Sequence, residues 1–125
     1  MKVDISNGEL LDKLSILEIK LDKIKNDVKL YNVRKEADIL RPLCESLLRD
    51  EKVKLLYDEL LRINTELWEV EDVLREKERL QTFDQLFVEY ARSVYFTNDK
   101  RARIKKEINL LTNSELIEEK SYESY

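Results

Sequence analysis

The sequence predicts an all-α fold: an antiparallel bundle of about five helices, with long heptad-patterned helices and a homo-oligomeric assembly. Three observations predict it. Glycine and proline occur once each in 125 residues, as Gly8 and Pro42, whereas a β-rich chain needs such residues at every turn. Leucine, isoleucine and valine recur at alternating spacings of three and four, the period of one helix face. Hydrophobic residues make up 42% of the chain beside 40% charged ones, apolar enough to build a core rather than remain disordered.

Ser6-Asn7-Gly8-Glu9 reads as a capping box, in which Ser6 and Glu9 satisfy each other's free backbone N–H groups. Leu10, Leu14, Leu17, Leu21, Ile24 and Val28 then form a heptad seam, widened by Leu11 and Ile16. The first helix is expected from Asn7 to the mid-twenties. A second spans roughly Lys29 to Arg49, with Val33, Ala37, Leu40, Leu43 and Leu47 as its stripe. Pro42 lies inside that stripe, so a kink or break near Leu40–Arg41, or a fresh start at Pro42, is expected. Asp50 is the N-cap of the third helix. This helix has the most regular pattern: Val53, Leu56, Leu60, Ile63, Leu67, Val70 and Leu74, giving a helix from Glu51 to about Leu80. Thr82-Phe83-Asp84-Gln85 reads as a second capping box. It opens a fourth helix bearing Phe83, Leu86, Phe87, Tyr90, Ala91 and Val94. Thr97-Asn98-Asp99 offers the N-cap of a fifth, with Ala102, Ile104, Ile108 and Leu111. One bundle domain over residues 1–112 is expected. A polar, acidic tail follows over 113–125, with Leu116, Ile117, Tyr122 and Tyr125 as docking points. The heptads suit both a bundle closed within one chain and a seam between chains.

Composition excludes several function classes. A net charge of -4 argues against general nucleic-acid binding, which needs a broad positive face. There is no histidine, which removes the commonest general base and zinc ligand. Cys44 is the only cysteine, so neither an internal disulfide nor a Cys-rich zinc site is available. No apolar run reaches membrane-spanning length, and MKVDISNGELLDK lacks a signal-peptide core. A cytoplasmic protein without membrane partners is the expectation.

The stretch from Ala91 to Asn109 is the main candidate for chemistry. It carries Arg92, Lys100, Arg101, Arg103, Lys105 and Lys106 in an acidic protein. Asn98, Arg101, Lys105 and Asn109 are spaced three, four and four, so they share a helix face. Arginine offers a planar fork of donors for phosphate or carboxylate, and lysine adds a point charge. Tyr95 and Phe96 precede the expected helix start, whose backbone N–H groups at Asp99 to Arg101 would face the same anion. Trp68, the one tryptophan, is a second ring platform. Arg92, Arg101 and Lys105 are thus candidate phosphate ligands, Asn98 a hydrogen-bonding residue, and Tyr95 and Trp68 stacking residues. The other reading is a solvated cationic face paired with acids of the third helix, with Tyr95 and Phe96 in the core. Neither reading needs a cofactor.

Glu66, Glu69 and Asp72, and separately Glu9 and Asp12, are carboxylates at three-residue spacings. Facing pairs of this kind hold Mg²⁺ for phosphate hydrolysis, which is the enzymatic alternative. The other reading is surface acids in short-range pairs with Lys and Arg.

Three strings, SNGELLDKLSILEIKLDKI, INTELWEVEDVLREKE and ARSVYFTNDKRARIKKEIN, resemble an uncharacterised family of short helical proteins of bacteria and phages, catalogued as a domain of unknown function. The resemblance covers nearly the whole chain. It implies an all-helical fold and, through surface-polysaccharide genes near bacterial members, a link to sugar nucleotides. The expected function is a non-enzymatic module binding an anionic, nucleotide-like small molecule, which in a phage member would sequester a nucleotide immune signal such as a cyclic ADP-ribose derivative in the host cytoplasm. A helical scaffold for another protein is the remaining alternative.

Overall fold

The computed structural model describes residues 1–125 and contains four helices and no strand. These are α1 (Asn7–Lys23), α2 (Asp27–Leu48), α3 (Glu51–Arg79) and α4 (Gln85–Leu111). Local chemistry sets most ends. Ser6 accepts from the Glu9 N–H, Asn26 from Lys29, and Asp50 from Lys52 and Val53, each quenching free donors of a first turn. The α3–α4 turn begins as a Schellman motif. The Thr82 N–H donates to the Lys77 carbonyl and the Gln81 N–H to that of Glu78, with Gln81 at φ 55°.

Three expectations are corrected. There are four helices, not five, because α4 runs unbroken through Thr97-Asn98-Asp99. Those residues carry no helix breaker, and the face that buries Ile104 and Ile108 continues back through Arg101 to the half-covered Val94. The backbone N–H groups of Asp99 to Arg101 therefore lie inside a helix, bonded to carbonyls four residues back, and offer nothing to an anion. The cap of α4 is Asp84, which accepts from Phe87 N–H at 2.9 Å, rather than Thr82. Finally, α2 continues through Pro42. Pro42 is exposed, so water can take up the carbonyl that its ring leaves free, while Ala37 and Cys44 are buried.

α1 is the hub: each of the other helices packs against it, and α2 does not touch α4. Leu11 and Leu14 meet Cys44, Val53, Tyr57, Leu60, Ile63, Ile104 and Ile108 in one core cluster. Leu17, Val33 and Ala37 form a smaller one between α1 and α2. Every buried residue lies within Ser6–Asn64 or Ile104–Asn109. Between them, residues 65–103 form a hairpin of the far half of α3, its turn and the near half of α4, in which no residue is buried.

Candidate functional site

The cations of α4 meet acids of α1. Arg101 donates from Nε to Asp12 Oδ1 at 2.9 Å and from a terminal nitrogen to Oδ2 at 2.6 Å. Lys105 Nζ donates to Glu9 at 2.6 Å and stands 3.4 Å from Glu118 of the tail. One turn further, the Gly8 N–H donates to Asn109 Oδ1 at 2.6 Å, and Asn7 Nδ2 donates to Thr112 Oγ1 at 2.9 Å. Residue numbers fall along α1 as they rise along α4, so the two helices are antiparallel. They are also unusually close: a Cβ on Gly8 would lie 2.4 Å from the Lys105 carbonyl oxygen. Glycine is required there by proximity, since its φ is not positive.

Asp12 is the centre of this network, with 1% of its surface exposed. Asn64 Nδ2 of α3 donates to Asp12 Oδ1 at 2.9 Å and to Ser15 Oγ at 2.8 Å, and the Ser15 hydroxyl donates to the Asp12 carbonyl at 2.7 Å. Burial alone would raise the Asp12 pKa. The hydrogen bonds from Arg101 and Asn64, with the charges of Arg101 and Lys105, outweigh it and hold the carboxyl below its ordinary range. Burial likewise opposes the charge on Lys105, but the Glu9 hydrogen bond and the charges of Asp12, Glu9 and Glu118 raise its pKa. In the core cluster, burial and the Glu18 charge push the Cys44 thiol up to about 11. The same two causes raise Tyr57. Cys44 is thus a protonated, inert thiol at neutral pH.

Beside this network an open groove of about 490 Å³ lies between α1, α3 and α4. Ile16 and Ile19 of α1, Trp68 and Arg75 of α3, and Asn98 and Arg101 of α4 line it. Asp12 takes two of the five guanidinium N–H groups of Arg101. The side chain remains 28% exposed, so it is clamped in direction yet still has donors to offer. Arg75, on the hairpin, is held at 2.9 Å by Glu71. Glu71 and Asp72 share the groove wall, so the formal charges of the lining balance before the Asp12 carboxylate behind Arg101 is counted.

Three of the six residues singled out for ligand binding therefore converge: Trp68, Asn98 and Arg101. The other three do not. Lys105 is engaged with Glu9 at the start of α1. Tyr95 packs on Phe96 and Tyr125, with centroids 4.8 and 5.3 Å away, beside the Tyr125–Asp99 hydrogen bond. Arg92 is exposed and makes no ion pair. The acids pairing with Arg101 and Lys105 come from α1 and the tail, not from the third helix. Glu66 and Glu69 line a different groove from Asp72, and no three metal-binding side chains come together. Glu66 lies 3.5 Å from Arg62, and Glu69 lies 3.9 Å from Lys23.

Asn64 and Ser15 went unremarked in the sequence. Their signal was present but faint: both are polar residues immediately beside apolar seam positions, Ile63 and Leu14. Glu9 and Asp12 stood out, but as a possible metal pair rather than as partners of Lys105 and Arg101.

The model of the Family of unknown function (DUF6165) matches residues 1–125, and the chain belongs to that family. No curated protein and no solved structure matches it.

Proposed function

We propose that this member of a family of unknown function is a non-enzymatic, homo-oligomeric module that binds an anionic, nucleotide-like small molecule in the groove between α1, α3 and α4. The supporting observation is that Trp68, Asn98 and Arg101 line one groove with Arg75. In this reading a base stacks on Trp68, Asn98 hydrogen-bonds the ligand, and the carboxylates of Glu71 and Asp72 accept from ribose hydroxyls. Arg101 and Arg75 face a phosphate. Because Asp12 and Glu71 already pair with the arginines and Asp72 adds a further negative charge, the groove suits a ligand of low charge, such as a nucleoside monophosphate unit or a cyclic nucleotide, better than a triphosphate. Sequestration of a nucleotide signal and a supporting role in sugar-nucleotide chemistry both fit such a groove.

The test is thermal stability against a panel of nucleotides, cyclic nucleotides and nucleotide sugars. A ligand present at 100 times its dissociation constant adds about 2.7 kcal/mol to a protein that binds it only when folded. A rise of several degrees in Tm is therefore expected for one class of the panel. Trp68→Ala and Arg75→Ala should reduce that rise. Arg75→Ala is the cleaner probe, because its partner Glu71 is solvated and the substitution leaves no buried charge. No shift with any member of the panel would remove the nucleotide reading.

A further inference from the structure

We infer that two copies of this chain pair through the α3–α4 hairpin, residues 65–103, so that two hairpins form a four-helix bundle beyond the single-chain bodies. This takes up the homo-oligomer of the proposed function and names its surface; it does not depend on the ligand.

Surface area supplies the first argument. The chain exposes 9009 Å², against about 7,000 Å² for a compact monomer of its mass. The excess of about 2,000 Å² exceeds the roughly 800 Å² that each partner hides in a standard interface. The exposed ends, residues 1–5 and 115–125, hold part of that excess, and the hairpin is the longest run of the chain without one buried side chain, at 39 residues.

The chemistry of that surface supplies the second. Val70, Val73, Leu86 and Tyr90, with Glu66, Glu69 and Glu89 beside them, line an open groove of about 590 Å³ running between the two helices of the hairpin, away from the Trp68 groove. Leu86 is 52% exposed, and Phe83 and Leu80 at the tip are more so. Two helices alone cannot bury both flanks of such a stripe, whereas four can. A second copy is the occupant that presents the same stripe, the same length and the same area deficit. A two-fold pairing lets each patch face itself. Helix α2 also exposes Tyr31, Ile39 and Leu43, but its opposite face is already satisfied by Val33, Ala37 and Cys44 in the core.

Sedimentation equilibrium of the full chain without added nucleotide decides the matter. The expected mass at tens of micromolar is twice the 15.0 kDa of one chain. Val73→Glu and Leu86→Lys should each weaken the dimer at least about a hundredfold with unchanged helical circular dichroism. Ile39→Asp on α2 should leave the dimer intact. Should Leu86→Lys unfold, the partly exposed Val73 site decides alone. A monomeric wild-type protein overturns the inference. So does a dimer that survives Val73→Glu, or one that dissociates with Ile39→Asp. Because the mass is read without ligand, a failed nucleotide panel and a failed dimer remain separate results.

Discussion

The near half of α3 and its far half carry one heptad pattern but have different fates. Val53, Leu60 and Ile63 are buried, whereas Leu67, Val70 and Leu74, in the same seam, are only half covered. The difference is the neighbour. α1 has 17 residues and α3 has 29, so at 1.5 Å per residue they span about 26 and 44 Å. Where α1 lies alongside, three helices close around the seam. Beyond Lys23 only α4 remains, and two helices leave it open. The same contrast holds for charge. Asp12–Arg101 in the body is buried on the acid side, while Arg75–Glu71 on the hairpin is solvated on both sides. Periodicity thus marks which residues are available for a core, and the number of helices around them decides whether a core forms.

Substitutions test that contrast. The largest effect should follow loss of Arg101, which strands the Asp12 charge in the interior. Arg101→Ala is expected to lower stability in urea by about 3–5 kcal/mol, whereas Arg75→Ala should change it by less than about 1 kcal/mol. Equal losses would erase the distinction between body and hairpin. Truncation in the seam comes next. Leu60→Ala should cost about 2–5 kcal/mol. Leu74→Ala, measured in dilute protein, should cost about 1 kcal/mol, and a larger value would mean that something covers the hairpin within one chain. Gly8→Ala sharpens the account of the α1–α4 contact: its methyl must push the helices apart, at about 1–3 kcal/mol, read as a lower urea midpoint.

The smallest effect is a pH limb. Asp12 has a depressed folded pKa, so its contribution is fully present above its unfolded value near 3.9. It is lost as pH falls through the lower folded value. Stability should therefore drop below about pH 4, and Asp12→Asn should flatten that limb in acid titrations followed by circular dichroism. An unchanged limb would assign it to other carboxylates. Lys105 has the opposite sign: its raised pKa gives stability present below its unfolded value and lost as pH rises through the folded one.

Much of the fold was legible in the sequence because helix formation is local. The Ser6 and Asp50 caps act within three residues, and the stripes of α1 and α3 repeat within seven. The supposed fifth helix shows the limit of local reasoning. Thr97-Asn98-Asp99 can cap a helix, but residues that favour a cap do not by themselves break one, and α4 did not break. The candidate site was half legible. Trp68, Asn98 and Arg101 stood out by residue type and do share a groove. Lys105 stood out for the same reason but is engaged with Glu9, and Tyr95 joined an aromatic cluster with the tail. Residue type cannot separate a cation held by its own protein from one offered to a ligand.

The sequence by itself determined an all-helical chain, the starts of α1 and α3, most of the seams, though not Val28 or Leu43, which are exposed, and an Arg/Lys face on the last helix. These follow from interactions between residues a few positions apart. Tertiary structure alone decided that Arg101 clamps Asp12 across 89 positions, that Gly8 lets α1 and α4 touch, and that the core stops where α1 ends. Charge partners and burial depend on which helices lie side by side, and no spacing within a single helix specifies its neighbour.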